Sequence, residues 1–363
     1  MTLLSNTLYD VAIIGAGIAG TYCANTLQQA GYQVCLLEKG RGTGGRASSR
    51  RLAIQEGEAQ QSCDLGAPFF NNEGEQLTND IQQWLADGVI APWPAANKAN
   101  SLAYTGVPSM SALTRYLAQH VDTYAQQRVS HIDRTEHIWS LRNDTYKTLI
   151  KAKRVIITAP AAQSAQLLTS PDAPSSFLQQ AHLASHQCRA QWAVVVSNNN
   201  PSSDCLLKNL PDMLEQEHPL LAKIICDSAK PAREASVTRW VLQANIEWSE
   251  AHKDDDAESV GQAMLAAFKS ILLERTGVSS ELELELEPEF EIATPHLWRL
   301  GRHESTCNAL GKVQKQQAAA MLWHKENGLA VAADWLGAGT VVSAILSAQQ
   351  LCQAMIIDDG GSA

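Results

Sequence analysis

The first forty residues alternate between short apolar runs and glycine in a pattern that predicts a strand, a helix and a second strand. Tyr9–Ile14 is a β-branched apolar run that ends at a glycine cluster, and small and apolar residues recur at helical spacing from Ala19 to Ala30. Gly31 ends that helix, and Gln33–Glu38 has the composition of a second strand. Such a unit has two parallel strands joined by a right-handed crossover, as in many nucleotide-binding domains.

The rest of the chain predicts further strands and helices. Three strand-like stretches between Val129 and Pro160 predict a small antiparallel layer, and a helix is predicted from about Ala257 to Arg275. Glu281–Glu287 alternates glutamate and leucine with period two, which predicts a strand with one solvated acidic face. Leu329–Asp334 is an apolar strand that leads into a glycine loop, and an apolar helix is predicted from Thr340 to Met355.

Composition and charge indicate an ordinary globular protein of about two domains. The chain has 363 residues, of which 45% are hydrophobic and 18% charged. The net charge of −10 disfavours binding to nucleic acid or to an anionic membrane. The eight cysteines form no Cys-x-x-Cys pair, so no metal site is predicted, and free thiols fit a reducing cytoplasm. No secretory signal and no membrane span of about 20 apolar residues is evident, so we expect a cytoplasmic protein.

The glycines between the first strand and the helix carry the clearest chemistry. Gly15, Gly17 and Gly20, with Ala16 between the first two, form a Gly-x-Gly-x-x-Gly pattern. The first glycine permits the turn, the second lets a diphosphate approach, and the third lets the helix pack on the strand. The helix N-terminus binds the diphosphate, and Glu38, 18 residues after Gly20, accepts hydrogen bonds from ribose hydroxyls. The unit therefore predicts a dinucleotide, which is either NAD or FAD.

Two further segments favour FAD. Gly44–Arg46 adds a second glycine turn and a cation beside the diphosphate, for which an NAD-dependent dehydrogenase has no use at this position. Near the C-terminus, Asp334 ends a strand just before Gly337, Gly339 and the last apolar helix. A carboxylate there would hold a ribityl hydroxyl, and the helix N-terminus would stabilise negative charge on a reduced flavin. Taken alone, Asp334 is explained equally well as the N-cap of that helix.

These segments resemble a known family. The first unit with Glu38–Arg46 resembles the FAD domain of the flavin amine oxidase superfamily, and Arg41–Arg51 is most similar to its renalase-like branch. The resemblance extends to Cys63–Phe70, Trp84–Trp93, Gly106–Leu113, Ala159–Gln163, His296–Arg299 and Ala333–Ser347. It touches most of the chain and is weak only over about residues 170–290.

The resemblance implies an α/β, two-domain flavoprotein with the architecture of p-hydroxybenzoate hydroxylase. A Rossmann-like FAD domain would comprise residues 1–80, 100–165 and 310–363, and a β-rich substrate domain residues 81–99 and 166–309. The FAD would be non-covalent, since the cysteine nearest the C-terminal glycine loop, Cys352, lies deep in the last predicted helix.

The resemblance also implies which residues contact the cofactor. The glycine turn and Arg46 would hold the diphosphate, Glu38 the ribose and the Val129 backbone the adenine, while Gly66, Ala67 and Asp334 would lie along the flavin. The full implied set is Gly15, Ala16, Gly17, Gly20, Glu38, Lys39, Gly45, Arg46, Gly66, Ala67, Val129, Asp334, Val341 and Val342. The sequence departs from the family pattern at Leu65, Ser109, Ala333 and residues 340–342. The departures at Ala333 and at residues 340–342 lie in the implied flavin site itself.

Renalase-like proteins are associated with oxidation of the 2- and 6-dihydro isomers of NAD(P). The resemblance therefore implies a flavin oxidase that takes hydride from such a small-molecule substrate and passes electrons to dioxygen. Flavin carries the difficult step, so no catalytic side chain is assigned. A substrate that carries a diphosphate needs a local cationic surface on an acidic protein. The predicted substrate contacts are Arg50, Arg51, Phe69, His296, Trp298 and Arg299.

Two other functions are consistent with the sequence. The superfamily allows oxidation of a small amine, although such enzymes usually have an aromatic cage and only 6% of these residues are aromatic. The other alternative is a flavin-binding sensor or interaction protein without turnover, supported by the departures at Ala333 and Val342. The substrate, the electron acceptor and the oligomeric state stay open at this point.

Overall fold

A computed structural model describes most of the chain. The described residues are 4, 6–52, 62–72, 76–198, 207, 210–215, 218–233, 237–276, 290–293, 295–304 and 321–360. The predicted strand Glu281–Glu287 lies outside them.

The described residues form eight helices and nineteen strands. The helices are α1 Ile18–Gln29, α2 Thr78–Ala86, α3 Ser111–Leu117, α4 Ala161–Leu167, α5 Ser175–Ser185, α6 Ile246–Ala251, α7 Ala257–Thr276 and α8 Val341–Asp358. The strands are β1 Leu8–Ile14, β2 Val34–Leu37, β3 Arg50–Arg51, β4 Ser62–Cys63, β5 Phe70–Asn72, β6 Ile90–Pro92, β7 Leu102–Gly106, β8 Asp122–Tyr124, β9 His131–Thr135, β10 Ile138–Arg142, β11 Thr148–Ile157, β12 Cys188–Asn198, β13 Met213–Glu215, β14 Leu221–Cys226, β15 Thr238–Ala244, β16 Phe290–Ile292, β17 His296–His303, β18 Leu322–His324 and β19 Leu329–Val331.

The larger sheet contains the predicted dinucleotide-binding unit. Its strand order is β18-β19-β11-β1-β2-β8, with β10 beside β11 and β9 beside β10. The predicted strand, helix and strand are confirmed, because β1 and β2 are parallel and α1 connects them. The three strands predicted between Val129 and Pro160 are confirmed as the antiparallel neighbours β9, β10 and β11. The ten residues of β11 pair with β10 at one end and continue beside β1 at the other, so these strands extend the larger sheet.

The second sheet is antiparallel and has two apolar faces. Its order is β13-β14-β15-β12-β16, with β17 also paired to β12. Along β15 the side chains alternate: Trp240 and Leu242 pack with Phe268 of α7. Val241 lies in a different cluster with Leu65, so the opposite face covers the segment that follows β4.

The predicted domain boundaries stay a prediction. Two segments assigned to the substrate domain nevertheless pack against the larger sheet. Ile81 and Trp84, from the predicted substrate-domain segment 81–99, lie in one hydrophobic cluster with Val11 of β1. Phe177, from the segment 166–309, lies in the cluster on the other face of the larger sheet.

Among the described residues, α8 alone is long and apolar enough to cross a membrane by length and composition. Its buried side chains share the cluster of α1, as expected of a core helix.

Candidate functional site

A large cavity lies where the parallel strands of the larger sheet meet the second sheet. Its volume is about 1380 Å³, and Ile14, Leu37 and Ala333 at or just beyond strand ends of the larger sheet line it together with Gln191 and Trp298 of the second. Pockets for a single drug-sized ligand have roughly 300–1,000 Å³, so this cavity has room for a dinucleotide and a second small molecule.

Most of the predicted site residues come together in this cavity. Its lining includes Gly15, Gly17, Glu38, Lys39, Gly45, Arg46, Arg50, Arg51, Gly66, Ala67, Val129, Trp298, Arg299, Asp334 and Val341. Five other predicted residues lie outside the lining: Ala16, Gly20, Phe69, His296 and Val342. Ala16 and Gly20 are buried beside the turn, and Val342 packs against the core in the first turn of α8.

The glycine turn leaves the start of α1 open to the cavity. No side chain caps the helix at Gly17, so N–H groups of its first turn remain for an anion. A Cβ on Gly20 would lie 2.0 Å from the Gly15 carbonyl oxygen, which explains why only glycine permits this packing. A Cβ on Gly17 would instead meet only the Gly45 Cα, at 4.0 Å. The protein's own packing therefore does not require glycine at position 17. The missing side chain instead leaves space for a ligand in the cavity.

Glu38 lies at the end of β2 with both carboxylate oxygens engaged. Oε2 accepts a hydrogen bond from the Ala16 N–H at 2.9 Å, and Oε1 accepts one from the Gly40 N–H at 2.6 Å. A carboxylate has about four acceptor positions, so two remain for ribose hydroxyls. The same two bonds fix the side chain beside the glycine turn. Val129, whose backbone is predicted to contact the adenine, lies on the same cavity wall.

Arg46 and Asp334 form a direct ion pair in the lining of the cavity. Arg46 Nη2 donates to Asp334 Oδ1 at 2.6 Å, and the carboxylate side chain is 8% exposed. The alternative in which Asp334 caps the last helix is wrong. Thr340 caps α8 instead, because its Oγ1 accepts from the Ser343 N–H while Ser343 Oγ accepts from the Thr340 N–H.

Gly66 and Ala67 line the cavity next to the backbone of Arg46. The Ala67 N–H donates to the Arg46 carbonyl at 2.9 Å. A Cβ on Gly66 would lie 1.9 Å from that same oxygen, so the approach requires glycine. On the other side, Gln243 Nε2 donates to the Leu65 and Gly66 carbonyls at 3.0 and 2.6 Å. Gln243 was not identified from the sequence, although a glutamine within an apolar strand is a signal of a buried polar role.

The predicted substrate residues divide into two groups. Arg50, Arg51, Trp298 and Arg299 line the cavity. His296 packs edge-to-face against Trp298, with 4.5 Å between ring centroids. Burial lowers the pKa of His296, and Arg50 lowers it further. Phe69 packs against Trp93 and lies 5.5 Å from Lys223 Nζ, away from the lining.

A buried charge cluster behind Gly66 was also not predicted. It consists of Asp64, Asp227, Lys230 and Arg233, whose side chains are all 5% exposed or less. Lys230 Nζ donates to Asp64 Oδ2 at 3.0 Å and to Asp227 Oδ1 at 2.6 Å, and Arg233 Nη2 donates to Asp64 Oδ2 at 2.6 Å. Burial alone would raise the pKa of Asp64, but Lys230 and Arg233 together hold it below its usual range.

These features fit FAD. The uncapped start of α1, the space at Gly17 and the free acceptor positions of Glu38 suit the adenosine diphosphate half. At the other end, Gly66 and Ala67 line the cavity among the described residues, and the backbone at Gly66 leaves no room for a side chain. Within the same residues, no cluster of His, Cys, Asp and Glu could hold a metal ion.

Comparison with family models gives two matches that together span most of the chain. Residues 13–84 match the NAD(P)-binding Rossmann-like domain, and residues 82–356 match the flavin-containing amine oxidoreductases. A vinyl phenol reductase of Lactiplantibacillus plantarum is 48% identical over 121 residues. That match covers 31% of this chain and 24% of the reductase, so the chain spans about a quarter of this curated relative.

Solved structures of low sequence identity share the fold. Cyclohexylamine oxidase from Brevibacterium oxydans aligns with a TM-score of 0.64 at 13% identity, over 98% of this chain and 100% of that one. A putative protoporphyrinogen oxidase from an Exiguobacterium species aligns with a TM-score of 0.60 at 14% identity, over 98% and 100%. A putrescine oxidase redesigned for cofactor binding gives 0.59 at 14% identity, over 96% and 99%. With the family models, these matches confirm the predicted two-domain α/β flavoprotein fold and the flavin cofactor.

Proposed function

The chain belongs to the family of flavin-containing amine oxidoreductases, and on that premise we propose that it oxidises a 2- or 6-dihydro isomer of NAD(P). Bound FAD would supply the hydride acceptor for the substrate carbon and the route by which electrons reach dioxygen. In the balanced reaction, the dihydronicotinamide, one proton and dioxygen give the oxidised dinucleotide and hydrogen peroxide. We propose that the reaction takes place in the cytoplasm, where such dinucleotides are found.

The charge of the cavity carries this proposal. Its lining includes nine cationic residues, namely Lys39, Arg41, Arg46, Arg50, Arg51, Arg115, Arg128, Arg299 and Arg302, against two acids, Glu38 and Asp334. The whole chain has 38 acidic and 28 basic residues, so the cations are concentrated here. The FAD diphosphate offsets only two of these charges. The remaining excess of positive charge in the cavity attracts a second phosphate-bearing molecule and repels a protonated amine.

The aromatic content of the cavity supports the same substrate. Among the described residues, Trp298 is the one aromatic side chain of the lining. An aromatic cage for an amine needs several ring faces around the nitrogen. A single indole is instead suited to stack on one flat ring, such as a nicotinamide. Trp298 is also fixed in place, because its six-membered ring lies against the Gly66 backbone and His296 packs on it.

Arg115 is a cation of the lining whose guanidinium is held in place by two serine hydroxyls. Its Nη1 donates to Ser111 Oγ at 2.6 Å and its Nη2 to Ser109 Oγ at 3.4 Å. Burial lowers the pKa of Arg115, Asp64 raises it, and the neighbouring Arg51 lowers it again. Two adjacent guanidinium groups repel each other until an anion lies between them. We propose that they contact a phosphate group of the substrate.

The proposal is tested by anaerobic reduction of the purified holoenzyme. The oxidised-flavin absorption band is followed while 6-dihydroNAD, 2-dihydroNAD, ordinary NADH, putrescine and cyclohexylamine are added to separate samples. Rapid bleaching by a dihydro isomer, with little change from NADH or the amines, is the expected result. On readmission of air the band should return with one hydrogen peroxide per substrate oxidised.

The other outcomes separate the alternatives. Bleaching by an amine alone would refute the proposed substrate and establish the amine oxidase alternative, which the family match equally allows. A flavin band that no compound bleaches, although dithionite reduces it, would favour the flavin-binding protein without turnover. Dithionite is the control here, because it shows that the bound flavin is accessible to reduction.

A further inference from the structure

We infer that Gln243 is a positioning residue that fixes the flavin-facing segment Leu65–Ala67 to the second sheet. Gln243 is on β15, a central strand between β14 and β12, and is 2% exposed. Its side chain lies on the same face as Val241, and that face packs against Leu65. The inference depends on FAD lying along Gly66 and Ala67. It is independent of the substrate proposed above.

The Leu65 and Gly66 carbonyls depend on this side chain. β4 ends at Cys63, so the following residues have no partner strand for their carbonyl groups. Gln243 Nε2 donates to both oxygens, using the two hydrogens of one amide. Without that donor, the buried Leu65 carbonyl and the part-buried Gly66 carbonyl would lose this partner, and the segment would move to find another.

The segment is held from the opposite side by the backbone of Arg46. The Ala67 N–H donates to the Arg46 carbonyl, and the Arg46 side chain donates to Asp334. Gly66 approaches the Arg46 carbonyl too closely for any side chain. A shift at Leu65–Ala67 would therefore also move Arg46, which pairs with Asp334 in the predicted flavin site. A displacement of about 1 Å near reacting groups changes rates by roughly 100-fold.

The test compares Gln243→Leu and Gln243→Glu with Ser249→Ala. Ser249 is a matched control, because it is also fully buried in this part of the chain and its Oγ accepts from the Trp192 N–H at 3.1 Å. It contacts β12 rather than the flavin-facing segment. All three changes remove a buried hydrogen bond, so all three lower stability. Only the two changes at Gln243 should alter the flavin.

Three measurements distinguish positioning from simple stabilisation. The first is the visible circular dichroism of bound flavin together with its reduction potential. The second is deuterium uptake by peptides that cover residues 62–72 in the apoprotein, which needs neither cofactor nor activity. The third is the pH dependence of the flavin signal in Gln243→Glu, since a glutamic acid donates a hydrogen bond to a carbonyl only while protonated.

We expect Gln243→Leu to change the circular dichroism of the bound flavin, to shift its reduction potential and to raise deuterium uptake over residues 62–72 in the apoprotein. Ser249→Ala should match wild type in all three respects. Gln243→Glu should approach the wild-type signal at low pH and depart from it as pH rises. If both Gln243 variants keep the wild-type flavin signal and exchange, Gln243 is only structural and the inference is overturned. If Gln243→Leu does not fold, the pH response of Gln243→Glu decides alone.

Discussion

Removal of the Lys230 charge is expected to destabilise the protein strongly, because the cluster around it is buried and neutral. Two carboxylates, Asp64 and Asp227, are balanced by Lys230 and Arg233, with both lysine contacts at 3.0 Å or less. In Lys230→Met, Arg233 would be the one cation among the described residues still ion-paired with the two carboxylates, which leaves one buried carboxylate charge uncompensated. Breaking a buried pair in this way costs about 3–5 kcal/mol.

A second substitution separates the effect of the lost charge on stability from the effect of the changed side-chain shape. Asp227→Asn in the Lys230→Met background restores neutrality, with Asp64 and Arg233 still paired at 2.6 Å. Replacement of a whole buried pair is often close to neutral, so the double variant should regain at least about 2 kcal/mol. Methionine has nearly the length of lysine, and it retains contact with the Trp93 ring, from which Lys230 Nζ lies 5.5 Å.

Urea and thermal unfolding measured by tryptophan fluorescence provide the assay. At roughly 2 °C per kcal/mol, the midpoint of Lys230→Met should fall by about 6–10 °C, and the double variant should recover part of it. The comparison needs equal FAD and protein concentrations, since bound cofactor stabilises the folded state. A single variant as stable as wild type, or a double variant no better than the single, would refute the electrostatic explanation.

Three further changes test the cofactor and substrate sites. Gly17→Ala should fold but raise the FAD dissociation constant at least about tenfold, because the new Cβ enters the cavity without meeting protein; equal flavin occupancy would contradict the assigned diphosphate site. Arg115→Gln should raise KM for dihydroNAD isomers about tenfold and leave the phosphate-free dihydronicotinamide riboside unchanged, whereas equal effects on both would point to a structural role. His296 has a lowered pKa, so its protonation opposes folding: stability is full above the unfolded pKa of 6.5 and falls as pH drops below it. His296→Gln should reduce that loss between pH 7.5 and 5.5 in urea titrations, and an unchanged loss would exclude this histidine as its source.

The parts of the fold that the sequence predicted are those whose signals are local. The strand, glycine turn and helix over residues 9–30 lie within one short stretch, where periodicity and glycine spacing act together. The last helix was predicted over Thr340–Met355 and is observed at Val341–Asp358, with Thr340 as its cap. Boundaries shifted by a few residues, because helix ends depend on capping and on packing that a periodic pattern does not contain.

Contacts between distant residues explain what the sequence did not predict. Arg46 and Asp334 are 288 positions apart. The sequence predicted that each contacts the cofactor, but it did not indicate that the two side chains form an ion pair. Lys230 and Asp64 are 166 positions apart, and in a polar turn such a lysine is typical of a solvated surface. The resemblance identified Gly66 and Ala67 as flavin contacts, but it was weak over residues 170–290. Gln243, Lys230 and Arg233, which fix the segment before Ala67, all come from that region.

The wall that we predict to face the flavin is thus assembled from three parts of the chain rather than built on one element. Arg46 contributes a carbonyl from the glycine-rich turn, Gln243 an amide from the second sheet, and Asp64 an anchor in the buried charge cluster. The contacts of Gln243 and Asp64 join this segment to residues more than 160 positions away in the chain. The adenosine end, by contrast, depends on residues near β1, α1 and β2. It follows that loss of the second-sheet contacts should spare adenosine diphosphate binding while disturbing the flavin, because the two ends of the cavity are held by different parts of the fold.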